Sequence, residues 1–285
     1  MQLALGGLLI YFAVAGFPFV DSGSGGGGGS PTVNRFDGPR AFRLLREQVQ
    51  MGPRPAGSPA SRRLAERLRR LLPHGRFEAV PGGLRNVVGI RPGPRPAVVI
   101  AAHYDTKDLP GFVGANDGAG GTAAVVELAR TLADRPAGGP ELRFVLFDGE
   151  ESPRGAPDSA FLRTGLRGSR AYAARHHDVG AMILLDFVAN RDLSLPREAL
   201  SDPRLWARLR AAAARVGVGS TFPDRTAPGV YDDHYPFRAR GVPAIDLIDF
   251  DYPCFHRACD DLRHVSERSL DRAGEAVAEL VRGLH

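Results

Sequence analysis

The sequence predicts an α/β protein with a mostly parallel central sheet and helices on both faces. Three observations support this. Short β-branched or aliphatic runs recur at residues 86–90, 97–102, 142–147, 181–185 and 244–248, each bounded by polar, Gly or Pro residues. Helical periodicity fills the intervals at 122–133, 168–176, 203–216 and 267–284. Alternation of this kind gives parallel strands joined by crossover helices, and 285 residues suit one large domain of that class.

In chain order, residues 3–20 are apolar throughout, and Ala13-Val14-Ala15 resembles a small-residue cleavage signal. Residues 1–20 are therefore expected to be a signal peptide or a membrane anchor. No basic residue precedes the apolar stretch, and Gly6, Gly7, Gly16 and Pro18 interrupt a spanning helix, so both alternatives stay open. Either one exports the chain, leaving the rest secreted, periplasmic or anchored outside the cytoplasm. Residues 21–32 read as a Gly/Ser-rich linker, and residues 33–285 as the catalytic domain. Two amphipathic helices open that domain at 39–50 and 59–72.

The net charge is +5, but the arginines are scattered and their densest run, 61–76, reads as the polar face of a helix. Nucleic acid is not an expected partner, and contact with a membrane is expected only through the N-terminal segment. Among 37 basic residues, Lys107 is the single lysine, so it marks a position that arginine does not fill. Cys254 and Cys259 are too few for a disulfide scaffold; they bridge locally in an oxidising compartment or stay free.

Ligands of open α/β sheets bind beyond the carboxyl ends of the strands. Here those ends run into His103-Tyr104-Asp105, Asp148-Gly149-Glu150-Glu151, Asp186 and a loop with His256, while Asp117 lies in a Gly-rich loop just before a helix. Mixed imidazole and carboxylate ligands suit a catalytic zinc with an open position, whereas structural zinc favours cysteines. Adjacent Glu150 and Glu151 need a cation, because like charges at close range push one pKa upward. The simplest division gives Glu151 to the metal and leaves Glu150 as general acid and base. The glycines at 118–121 lack the lysine of a phosphate-binding loop, which excludes a nucleotide site.

In order and spacing, His103-Tyr104-Asp105, Gly114-Ala115-Asn116-Asp117, Glu150-Glu151, Asp186, Asp233-His234, Gly241-Val242-Pro243 and His256 resemble the M28 family of zinc peptidases from about residue 52 onward. The resemblance implies a zinc aminopeptidase-like (phosphorylase/hydrolase-like) fold, zinc ligands Asp117, Glu151 and His256, and Glu150 as general base. Two chemistries occur in the family. Aminopeptidases hold a second zinc through residues matching His103 and Asp186; glutaminyl-peptide cyclotransferases use one zinc and cyclise an N-terminal glutamine.

Lys107 in His103-Tyr104-Asp105-Thr106-Lys107, and the double aspartate of Asp232-Asp233-His234-Tyr235-Pro236-Phe237, are similar to the cyclotransferases. That likeness implies a proton-sharing network of Glu150, Asp186 and Asp232, with Lys107 and Phe255 in the substrate pocket. Asp105, Asp233 and His234 are expected to support the site by hydrogen bonding. The chain departs from the cyclotransferase pattern in having no tryptophan shortly after Glu151, and in having Phe255 where a second tryptophan precedes the zinc histidine.

The leading expectation is a cyclotransferase; the alternative is an aminopeptidase releasing N-terminal residues. A non-catalytic ectodomain is a third reading, opposed by the fully occupied ligand positions. The expected partners are peptide or protein N-termini, and a monomer is expected. Trp206 is expected in the core, and His264, His176 and His177 on the surface.

Overall fold

The computed structural model describes residues 30–136 and 138–284. The expectations for residues 1–20, and nearly all of those for 21–32, lie outside the described residues. No helix among the described residues is long and apolar enough to cross a membrane.

The strands are β1 (Arg76–Val80), β2 (Leu84–Arg91), β3 (Ala97–His103), β4 (Leu142–Phe147), β5 (Val179–Leu185), β6 (Arg197–Glu198), β7 (Thr226–Ala227) and β8 (Ala244–Leu247). Six of them form one sheet in the order β1-β2-β4-β3-β5-β8, and β6 pairs with β7 apart from it. Strands β4, β3, β5 and β8 are mutually parallel; β2 runs antiparallel to β4 and to β1. The expected mostly parallel sheet is therefore present, with an antiparallel hairpin at one edge.

Alternate strand residues supply two cores, as the period of two requires. Val98, Ile100, Ala102, Phe144, Leu146, Ile183 and Leu185 pack on one face; Val99, Ala101, Val145, Phe147, Met182 and Leu184 pack on the other. The first face is covered by α1 (Gly38–Gln50), α2 (Pro59–Leu71), α3 (Ala119–Thr131), α6 (Pro203–Arg215) and α8 (Glu267–Arg282). The second is covered by α5 (Arg167–Arg175) and α7 (Tyr235–Arg238); α4 (Phe161–Thr164) is a single turn leading into α5. Helices α1, α2 and α6 begin alike, with Asp37, Ser58 and Asp202 accepting from first-turn amides next to a proline whose missing N–H costs nothing there. Trp206 lies in the first core, as expected.

Helix α3 starts three residues before the predicted 122 because glycines open it. A Cβ on Gly121 would fall 2.0 Å from the carbonyl oxygen of Leu185, so only glycine lets α3 lie this close to β5. The Thr122 hydroxyl donates to the carbonyl of His103 at 2.7 Å and pins the helix start to the end of β3. Register does the rest. His103 pairs with Phe147, and Leu185 with Leu247, so four parallel strands end at nearly one level.

Candidate metal centre

At that level five ligand-type side chains converge. His103 ends β3, and its Nδ1 lies 3.1 Å from the carbonyl oxygen of Asp105. A carbonyl only accepts, so Nδ1 carries the proton and Nε2 presents a lone pair. That Nε2 lies 3.2 Å from Asp117 Oδ1 and 3.4 Å from Asp186 Oδ1. Lone pairs of three atoms facing one another need a cation between them. Without a metal the cluster favours a proton there: burial would lower His103, but the carboxylates of Asp105, Asp117 and Asp186 around it outweigh burial and hold the imidazole well above its ordinary value.

A second cluster shares Asp117. His256 Nε2 lies 3.5 Å from Asp117 Oδ2 and 3.3 Å from Glu151 Oε1. His103, Asp117 and Asp186 thus form one possible metal site, and Asp117, Glu151 and His256 another, each with ligand atoms within 4.8 Å of one another. Each oxygen of Asp117 faces a different cluster. His103 Nε2, Asp117 Oδ2 and Glu151 Oε1 are buried and make no hydrogen bond, which is what side chains shaped for a metal leave behind. The residues fit a divalent metal bound through nitrogen and oxygen.

The carboxylates are set from behind. Asp105 Oδ1 accepts from the amides of Gly149 at 2.9 Å and Glu150 at 3.2 Å, and Oδ2 from Glu151 at 3.2 Å. Asp105 thereby holds the loop that carries both glutamates. Lys107 Nζ lies 3.1 Å from Glu151 Oε2. Burial alone would raise Glu151, but its contact with His256 and then the charges of Lys107 and His103 bring its carboxyl below its ordinary value. Glu150 is pushed well above, first by burial and then by Glu151. The two neighbours are driven apart, as adjacent acids are when one of them is held more closely by positive groups.

Burial raises Asp186 to about 8 against the pull of His103, and Asp232 and Asp233 also lie above the usual carboxylate range. His234 is fully buried, 3.2 Å from Glu198 Oε1 through Nε2 and 3.7 Å from Asp246 Oδ2 through Nδ1. Phe255 stacks on His256 with centroids 3.8 Å apart and also meets Phe187 and Phe250, forming one aromatic wall. His177 is exposed and His264 partly exposed, close to the surface positions expected; His176 is a correction. It is half-buried, stacked on Tyr172 at 4.0 Å and bonded to Glu78 at 2.9 Å, because β1, unseen in the sequence, brings Glu78 beside it. Cys254 and Cys259 are joined as a disulfide on either side of His256, which itself takes a left-handed φ of 50°.

Sequence reasoning missed Glu198, Asp246 and Asp260. Asp246 did leave a signal, a charged residue inside the apolar run 244–248.

Peptidase family M28 is the family whose profile matches, over residues 86–281. A glutaminyl-peptide cyclotransferase of Gloydius blomhoffii is 31% identical over 61% of this chain and 57% of its own length. An aminopeptidase of Bacillus subtilis is 27% identical over 69% of this chain and 44% of its own. The chain thus spans about half the length of these curated relatives. Among solved structures, the glutaminyl cyclase of an Acidobacteriales bacterium superposes with a TM-score of 0.75 at 29% identity, covering 94% of this chain and 98% of that one.

Proposed function

The chain belongs to peptidase family M28, and from that premise we propose that it is a zinc enzyme of peptide N-termini, cyclising N-terminal glutamine to pyroglutamate with release of ammonia. The observation that carries this reading is the buried trio of Glu150, Asp186 and Asp232 beside Asp117, Glu151 and His256. Burial first, with the charge of Asp232 adding to it, raises both of the other two, so the trio stores protons. Such a store suits a reaction that moves a proton between two nitrogens and needs no attacking water. The relative from Gloydius blomhoffii and the bacterial glutaminyl cyclase support the same reading.

Asp117, Glu151 and His256 would hold the zinc, an ion that suits this mix of nitrogen and oxygen donors. Bound there, it supplies a Lewis acid toward the side-chain amide carbonyl of the substrate. Glu150 accepts a proton from the α-amine as that nitrogen bonds to the amide carbon, and returns one to the departing ammonia, so the carboxylate ends as it began. Asp232 and Asp186 share the proton between these steps. Phe255 packs against the glutamine stem, and Lys107 lines the pocket beside Glu151. Export to an oxidising compartment accords with the Cys254–Cys259 bridge.

One observation favours a second reading, an aminopeptidase with two zincs. Asp117 turns one oxygen to each of the two clusters, as a bridging ligand would, with His103 and Asp186 completing the second site. Mass spectrometry of zinc-loaded protein with one peptide beginning in Gln and another beginning in Leu separates the two. Loss of ammonia from the Gln peptide alone supports cyclisation; loss of the first residue from the Leu peptide overturns it in favour of the aminopeptidase.

A further inference from the structure

The loop that carries Asp117 has almost no secondary structure of its own, yet three successive amides in it, those of Ala115, Asn116 and Asp117, are all bonded. Asp260, fully buried, is what holds most of it. Its Oδ1 accepts from the amide of Asn116 at 2.8 Å, its Oδ2 from the amide of Asp117 at 3.0 Å, and its backbone carbonyl from the amide of Ala115 at 3.2 Å. Tyr252 fixes the carboxylate in turn, its hydroxyl donating to Oδ1 at 2.9 Å. At the far end of the loop Arg54 donates from Nη2 to the carbonyl of Gly114 at 3.3 Å. Amides bonded to an ionised carboxylate are held by charge-assisted bonds, stronger than neutral ones.

Asp260 also follows directly on Cys259, whose bridge to Cys254 closes a ring of chain around His256. One short segment therefore presents His256 to the site and sets Asp117 from behind. We infer that Asp260 is a positioning residue for the metal centre. It acts through the backbone of Asp117 and ties the placement of Asp117 to that of His256. Asp105 does the same for the loop of Glu150 and Glu151, so the centre rests on two carboxylate cradles built alike.

This inference rests on the reading of Asp117 and His256 as metal ligands, and the test separates the two. Zinc affinity is measured by competition with a chromogenic chelator for the full chain and for Asp260→Asn, beside the thermal midpoint of each metal-free protein. Asparagine offers one acceptor and turns an NH2 group toward the second amide, so that amide loses its partner. The expected result is zinc binding about 10–100-fold weaker than in the parent, larger than any change in the folded fraction explains. Unchanged affinity overturns the inference; so does a lower midpoint with the affinity of the folded protein intact, the mark of a merely structural role. Absence of zinc binding by the parent chain removes the ligand reading itself and this inference with it. Should Asp260→Asn not fold, Tyr252→Phe carries the test, with affinity reduced a few-fold expected and no change overturning the inference.

Discussion

Strands β3, β4 and β5 carry charged groups at both ends, and the two ends are balanced differently. At the amino ends, Glu141 and Asp178 meet Arg143, which donates from Nε to Glu141 at 2.6 Å and from Nη1 and Nη2 to Asp178 at 2.9 and 2.6 Å. Arg95 adds a contact to Asp178 at 3.0 Å. Hydrogen bonding to Arg143 holds the Asp178 carboxyl down to about 2. At the carboxyl ends, Asp117, Glu150, Glu151, Asp186, Asp232 and Asp233 crowd together, and the contacts they make are to Lys107, His103 and His256 rather than to arginine forks. One sheet thus neutralises its acids with arginine at one end and leaves them waiting for a cation at the other. A buried excess of one sign survives only where something else supplies the opposite charge.

The strongest way to sharpen that contrast is to remove one acid from the unbalanced end. Glu150→Gln is expected to lower kcat by about 10²–10⁴-fold, the usual worth of a general base, while zinc binding is kept and the metal-free protein melts no lower than the parent. Steady-state rates and melting curves check both halves. Unchanged turnover would remove Glu150 from the chemistry; no turnover in parent and variant alike would make the chain a non-catalytic relative.

Next is removal of the metal. In the metal-free fold Asp186, at about 8, and Asp232, Asp233 and Asp246, all raised by burial, hold protons that the unfolded chain releases near pH 4. The folded state binds more protons, so stability falls as pH rises from about 4 to about 8. Chelated protein should melt progressively lower across that range, by about 2–4 °C for each kcal/mol lost, and zinc should remove most of the slope. Asp178 has the opposite sign: its stability is present above pH 4 and lost toward pH 2. A flat melting profile for the chelated protein would break the comparison.

Arg143→Met tests the balanced end. Leaving Glu141 and Asp178 with only the exposed Arg95 should cost on the order of 2 kcal/mol by denaturant unfolding, with kcat unchanged. The smallest effect is expected for Arg95→Ala, whose side chain is 63% exposed; the loss should stay within about 0.5 kcal/mol.

The same contrast explains what was readable in the sequence. Strands 97–102 and 142–147 and the ligand types after them were legible because burial makes such strands almost continuously apolar, Arg143 excepted, and a polar residue at their carboxyl ends conspicuous. Strand β1, RFEAV, was not legible, since it lies at the sheet edge, half-buried and charged at two of its positions. Helix α3 was placed late because glycine reads as a breaker, whereas here it permits close approach to β5. The ligands follow from side-chain type. The positions of Asp105 and Asp260 behind them follow from backbone amides, which no residue letter records; Asp105 was found through its neighbours, and Asp260, after a cysteine in an irregular loop, was not.

The bridge around His256 bears on how the chain withstands cleavage. Arg257, exposed and next to that histidine, offers a cutting site to proteases that cleave after arginine. A cut there falls inside the ring, so the two ends stay joined through sulfur and the histidine keeps its anchor. A nick at that position thus releases nothing.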